Sequence, residues 1–210
     1  MQTTSIKAVL FDFDGVLTVD KTGSLTTTRY LSERTGIELS KVQSVFRQFN
    51  NDLTIGKTTH EQIWEQICHG LGKKLSIGLL KEAFESTPLN ERMLELAKEL
   101  RSRYAVGIIT DNKKDRIYHL KTVHKLDSLF DPIAVSAEFG AGKEYPEIFS
   151  EVLRRLSVTP QECIFVDNSR KNLIAPGSLG IKTIYFDDAS QDFNALLTAL
   201  KTHGAVVSDA

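Results

Sequence analysis

The 210-residue chain has only two cysteines, no charge excess of either sign and no long apolar run. Cys68 and Cys163 fall in different segments, one with a helix pattern and one with a strand pattern, which argues against a disulfide framework. Both read as small buried side chains, and their scarcity fits a reducing, cytoplasmic setting. With 26 basic against 27 acidic residues and a net charge of -1, nothing favours nucleic acid or an anionic membrane as partner. No apolar stretch reaches the roughly 18 residues of a transmembrane helix. The polar N-terminus, Met1–Lys7, lacks the apolar core of a signal peptide and leads straight into a strand. The five histidines (60, 69, 119, 124 and 203) show no metal-ligand spacing and are expected on surface or helix faces. There are no internal repeats and no low-complexity tract.

Hydrophobic content of 41% and charged content of 25% are ordinary globular values, and the length suits one α/β domain carrying an insert. Five apolar runs read as strands: Lys7–Phe13, Ala105–Thr110, Pro132–Ser136, Glu162–Asp167 and Lys182–Phe186. The first, second and fourth are continuous rather than alternating, the pattern of strands buried on both faces. Helical patterns lie between them, marked by Met93, Leu96 and Leu100, by Ile117, Leu120 and Val123, and by Ile148, Val152 and Leu156. This alternation predicts an α/β fold with a doubly wound, parallel, Rossmann-like sheet. Residues 18–87 break the pattern: they are helical throughout, with Ser40-x-x-Gln43 and Thr58-x-x-Glu61 reading as capping boxes. The expected organisation is a core of residues 1–17 and 88–210 with a helical cap domain over 18–87. Inserted directly after the first strand, that cap would sit above the strand's end as a lid. The tail from His203 to Ala210 is expected to fray.

The segment I-K-A-V-L-F-D-F-D-G-V-L, residues 6–17, carries the most chemistry. Side chains at i and i+2 of a strand project together, so Asp12 and Asp14 leave the strand's C-terminal end on one side, where open α/β sheets place ligands. Two neighbouring carboxylates repel unless a cation sits between them or one keeps a proton. The first case is a Mg²⁺ site and the second a general acid. The second strand ends in Thr110-Asp111-Asn112, where a hydroxyl and helix-opening N–H groups form either a phosphate cradle or, with Asp111, a polar N-cap. Lys143 stands on the glycine-flexed loop Gly140-Ala141-Gly142 before a helix, able to neutralise a phosphate and an attacking carboxylate. The fourth strand ends in Asp167-Asn168, a further acid–amide pair that would face Asp12 if the fourth strand pairs with the first.

Taken in order, D-F-D-G-V-L, I-I-T-D-N, G-K-E-Y-P-E-I-F and F-V-D-N-S resemble the haloacid dehalogenase-like hydrolase superfamily across essentially the whole chain. The resemblance implies a Mg²⁺-dependent phosphatase acting through an aspartyl-phosphate. Asp12 would be the nucleophile and Asp14 the general acid/base, with the Asp14 backbone carbonyl also on the metal. Thr110, with Asp111 and Asn112 beside it, would bind the phosphate. Lys143 would hold the phosphate and Asp12, and Asp167 and Asn168 would serve the metal. The insert would match the family's substrate-choosing cap; Arg29, Arg47, Asn50, Lys57 and Trp64 either line its pocket or face solvent, with solvent the first expectation for the charged ones. The chain departs from the family pattern at Asn168, usually an aspartate, at Arg170-Lys171-Asn172, where a further acid is common, and at Glu144, often a proline. The expected substrate is a small phosphorylated metabolite, and the expected assembly a monomer or homodimer. A weakly active or inactive binding module of the same fold, a 2-haloacid dehalogenase and a sugar-phosphate mutase are the competing readings.

Overall fold

The computed structural model describes residues 5–208, so the lead-in before Ser5 and the last two residues lie outside it. The five apolar runs form strands β1 Ala8–Phe11, β2 Ala105–Thr110, β3 Ile133–Val135, β4 Cys163–Asp167 and β5 Lys182–Tyr185. They make one sheet in the order β3-β2-β1-β4-β5, every neighbouring pair parallel. The sheet is the doubly wound one that the alternation predicts. Register sets the site. Phe11 lies opposite both Ile108 and Val166, so the chain leaves β1 between the ends of β2 and β4. The Asp12 N–H then donates to the Val166 carbonyl at 2.8 Å, extending the ladder by one bond before the chain turns.

Alternation along the central strands loads both faces. Val9 and Phe11 of β1, with Ile164 and Val166 of β4, join one apolar cluster; Ala8, Leu10, Cys163 and Phe165 join the other. That is why these runs lack polar residues. Six helices follow the insert: α5 Glu91–Arg101, α6 Lys114–His124, α7 Ser136–Phe139, α8 Glu147–Leu156, α9 Ile174–Leu179 and α10 Phe193–Thr202. Helices α8 and α9 cover the second cluster, while α5, α6 and α10 cover the first. The two cysteines are free and buried.

The insert consists of α1 Gly23–Thr35, α2 Leu39–Thr54, α3 His60–Leu71 and α4 Ile77–Glu85. Helix α3 starts on a reciprocal capping box, but it joins Thr59 and Gln62, one residue beyond the expected pair. Helix α2 has no box: it begins at Leu39, so Ser40 is already inside the helix. Trp64 is buried within the insert, its indole N–H donating to the Leu75 carbonyl at 2.9 Å, rather than lining a pocket. The outgoing and returning chain run side by side. Thr18 and Leu89 form an antiparallel bridge, the Val19 N–H donates to the Pro88 carbonyl and the Asn90 N–H to the Leu17 carbonyl, each at 2.9 Å. The C-terminal tail does not fray as expected over its described part: Ala205 and Val207 pack into the core, and the Val206 N–H donates to the Tyr104 hydroxyl at 2.8 Å.

Phe165 lies in the middle of β4, fully buried and edge-on to Phe149 with ring centroids 5.2 Å apart. Phe165→Ala is expected to lower unfolding free energy by about 3–5 kcal/mol in a denaturant titration, the cost of removing a large aromatic from a core that cannot collapse around it.

Candidate active site

A three-charge cluster bridges the ends of β1 and β4. Lys143 is 1% exposed, and its Nζ lies 2.8 Å from Asp12 Oδ1 and 2.6 Å from Asp167 Oδ2. The loop that carries it is pinned by Asp111, whose Oδ1 accepts the Lys143 backbone N–H at 2.9 Å. Asp111 is therefore not the N-cap of α6, which begins only at Lys114. Burial alone would depress the ammonium's pKa, but the Asp12, Asp167 and Asp111 carboxylates drive it well above the usual lysine range. Asp167 is wholly buried. Its Oδ1 accepts the Ser169 N–H at 2.7 Å, and both its oxygens accept the Asn172 amide at 3.3 Å.

Asp12 is different. Its Oδ1 accepts the Phe13 N–H at 2.7 Å as well as Lys143, while Oδ2 has no hydrogen-bond partner among the described residues, and the residue lines the cavity above the sheet edge. Burial, then repulsion from Asp167 and Asp14, outweighs Lys143 and pushes the Asp12 carboxyl up to about 7. The chain can turn so sharply after Asp12 because Gly15 adopts φ +79°, and a Cβ there would overlap the Asn168 amide.

Asp14 is met by a residue that sequence reasoning missed. Arg116, 1% exposed, forks onto both its oxygens, with Nη1 to Oδ2 and Nη2 to Oδ1 at 2.9 Å each. Asn112 donates to Asp14 Oδ2 at 2.7 Å and to the Thr110 hydroxyl at 3.3 Å. Thr110 lines the cavity, but Asn112 is buried behind Asp14, and two N–H groups expected in a phosphate cradle are occupied. The Asn112 N–H donates to Ser136 Oγ and the Lys113 N–H to Asn112 Oδ1, both at 3.0 Å. Arg116 had a legible signal: it lies four residues before Leu120 and next to Ile117, on the apolar face of α6. His60, expected on a surface or helix face, opens α3 with its side chain turned inward. It is buried, its Nδ1 lies 2.8 Å from Asp115 Oδ2, and its backbone N–H donates to the same oxygen at 3.0 Å.

These residues open onto a cavity of about 780 Å³ between sheet edge and insert. Asp12, Asp14, Thr110, Asp111, Lys143 and Asn168 line its floor; Asp167 does not reach it. From the insert come Leu25, Phe46, Leu53 and Phe84 as apolar wall and Gln43, Arg47 and Asn50 as polar groups. Arg29 instead pairs with Asp20 and Lys57 with Asp52. Lys113 lines the cavity, and burial followed by the nearby Arg116 guanidinium lowers its pKa to about 8. Among the described residues no three His, Cys, Asp or Glu side chains converge as a metal cage. Asp12 and Asn168 both line this cavity and offer hard oxygen donors, a carboxylate and an amide carbonyl. That chemistry fits Mg²⁺, which binds through few protein oxygens and keeps several waters.

The family model for haloacid dehalogenase-like hydrolases matches residues 9–186, and the chain belongs to that family. It is 27% identical over 219 residues to a phosphatase of Mycobacterium tuberculosis, covering 98% of this chain and 99% of the relative. It is 26% identical over 187 residues to the sesquiterpene phosphatase of Aspergillus oryzae, covering 89% and 92%. In fold it is similar to a family enzyme of Bacteroides thetaiotaomicron solved with magnesium and inorganic phosphate. That likeness has a TM-score of 0.72 at 23% identity and spans 91% of this chain and 99% of the other. The protein is thus a hydrolase of this superfamily, and no helix among its described residues is long and apolar enough to cross a membrane.

A cation on Asp12 must displace the proton that the buried carboxyl holds below about pH 7. Mg²⁺ affinity, measured by calorimetry in buffers of different ionisation enthalpy, is expected to fall about tenfold per pH unit below that point, with about one proton released per ion bound. An affinity flat from pH 5 to 8 would contradict this placement of the ion.

Proposed function

We propose that the protein is a Mg²⁺-dependent phosphatase of small phosphate monoesters, acting through an aspartyl-phosphate on Asp12, with residues 18–87 as its cap domain. One observation carries the reading. Asp12 has one oxygen held by Lys143 and a backbone N–H and the other without a hydrogen-bond partner among the described residues, and it lines the cavity that the insert encloses. A carboxylate oriented through one oxygen presents the other as a nucleophile.

Asp12, the Asp14 backbone carbonyl and Asn168 would hold Mg²⁺, which when bound would supply positive charge to the transferring phosphoryl group. Lys143, already fixed against Asp12, supplies a second cation. Asp12 Oδ2 attacks phosphorus in line; the bond to the leaving oxygen breaks, and Asp14 gives that oxygen a proton. Asp14 then takes a proton from the water that cleaves the aspartyl-phosphate, releasing inorganic phosphate and restoring both carboxyl groups. Thr110 offers its hydroxyl to the phosphate oxygens. Asn168, rather than Asp167, serves the metal, because both Asp167 oxygens are engaged by Lys143, Ser169 and Asn172. The leaving group occupies the space bounded by Leu25, Phe46, Leu53 and Phe84, with Gln43, Arg47 and Asn50 available to its polar atoms. Phosphatase-named relatives support the same reading.

Asn168 carries no charge where an acid is usual, so Asn168→Asp is expected to tighten Mg²⁺ binding about tenfold, by one more charge-assisted contact. Asp12→Asn is expected to abolish p-nitrophenyl phosphate turnover and the trapping of fluoroberyllate. If wild type is inert at millimolar Mg²⁺ while Asn168→Asp is active, the natural protein is a binding module on this fold and the phosphatase reading falls.

A further inference from the structure

Arg116 is among the largest fully buried side chains in the molecule, and burying a guanidinium costs several kcal/mol unless its hydrogen bonds are well made. Its contacts point one way. Beyond the two bonds to Asp14, Nη1 donates to Asn112 Oδ1 at 3.1 Å, and Asn112 itself donates to Asp14. Nη2 also donates to the Thr87 hydroxyl at 3.1 Å, while Nε–H has no partner among the described residues. Phe13 lies 5.7 Å from the guanidinium, along the turn that carries Asp14. Gly23 forms the roof: a Cβ at that position would overlap the guanidinium. Gly23 opens α1 and Thr87 follows α4, so both chain segments that join insert to core shape the seat. Of its four bonds, two go to the Asp14 carboxylate and a third to Asn112, which itself donates to that carboxylate; only the Thr87 bond lies elsewhere.

We infer that Arg116 is a positioning residue for the reaction, its planar fork fixing the Asp14 carboxylate so that Oδ1, the oxygen with a single protein donor, faces the reacting oxygen. This rests on the phosphatase reading and adds to it a residue outside the nucleophile, metal and phosphate contacts. Bidentate pairing restricts rotation of the carboxylate plane, which one hydrogen bond does not. Asn112 and Arg116 together occupy Oδ2, and this distinguishes the two oxygens. Lysine can replace the charge but not the fork, so it restores the function only in part.

The test compares kcat/KM for an alkyl phosphate, whose leaving oxygen needs a proton, and p-nitrophenyl phosphate, whose leaving group departs without one. In Arg116→Met the alkyl phosphate is expected to lose about 100-fold and p-nitrophenyl phosphate less than about fivefold, because correctly placed proton transfer matters only to the first. Arg116→Lys should show the same selectivity with a smaller loss. Gly23→Ala keeps the arginine and pushes its guanidinium aside, so it should reproduce the selective loss; it carries the test should Arg116→Met fail to fold by circular dichroism. In an Asp14→Asn background, Arg116→Met should change the alkyl phosphate rate by less than about twofold, since the arginine acts through Asp14. Equal losses on both substrates, or an undiminished effect without the Asp14 carboxylate, would overturn the inference while leaving a phosphatase. A wild type that turns over neither substrate overturns the phosphatase reading, and the inference with it.

Discussion

The buried ammonium of Lys143, shared between Asp12 and Asp167, ties the two central strand ends to one another. Three charges in a water-poor pocket are costly singly, and each is tolerable only because the others are present. Removing either carboxylate would leave the lysine with a single partner, and removing the lysine would leave two acids facing each other. Secondary contacts follow from this need. Asp111 fixes the backbone of the lysine loop, and Ser169 and Asn172 satisfy the remaining lone pairs of Asp167. Asn172 stands where the family often has an acid; an amide can donate to Asp167, which an ionised acid cannot.

The two aspartates of the first motif are thus held by separate cations from opposite sides of the sequence. Asp12 is fixed from the loop before α8 and Asp14 from the first turn of α6. The same turn of α6 grips the insert, because Asp115 binds both the ring and the backbone of His60 at the start of α3. Adjacent residues of α6 therefore contact Asp14 and the insert. The pull of burial on the Asp115 carboxyl is overcome by the His60 ring and by backbone N–H groups, which hold its pKa below the usual value.

Much of this was legible in the sequence, for identifiable reasons. A central parallel strand must be apolar on both faces, so β1, β2 and β4 announced themselves as unbroken runs, and their ends marked where Asp12, Thr110 and Asp167 emerge. Lys143 was readable only with its companions, since a lysine in a glycine-rich loop has no local signature of burial. The capping box slipped by one residue because Thr58 and Thr59 each have a suitable partner three residues on, and only tertiary packing decides between them. Arg116 and His60 were lost for a deeper reason. Their roles depend on partners about a hundred and about fifty residues away, and a polar side chain in a helix reads as solvated until the fold brings something to it. The engagement of the Asn112 amide by Ser136 was equally invisible, because it joins the ends of two strands.

The paired crossing at Thr18 and Leu89 brings the two ends of the insert side by side. Because both junctions lie together, bonded as a short antiparallel ribbon, another helical unit can be grafted there through two adjacent splice points without rethreading the sheet. Such a graft would keep Asp12, Lys143 and Asp167 in their native framework but remove Gly23 and His60 from their seats on α6. Chimera design at this locus therefore has to supply, besides a new pocket wall, a small residue over Arg116 and a donor for Asp115.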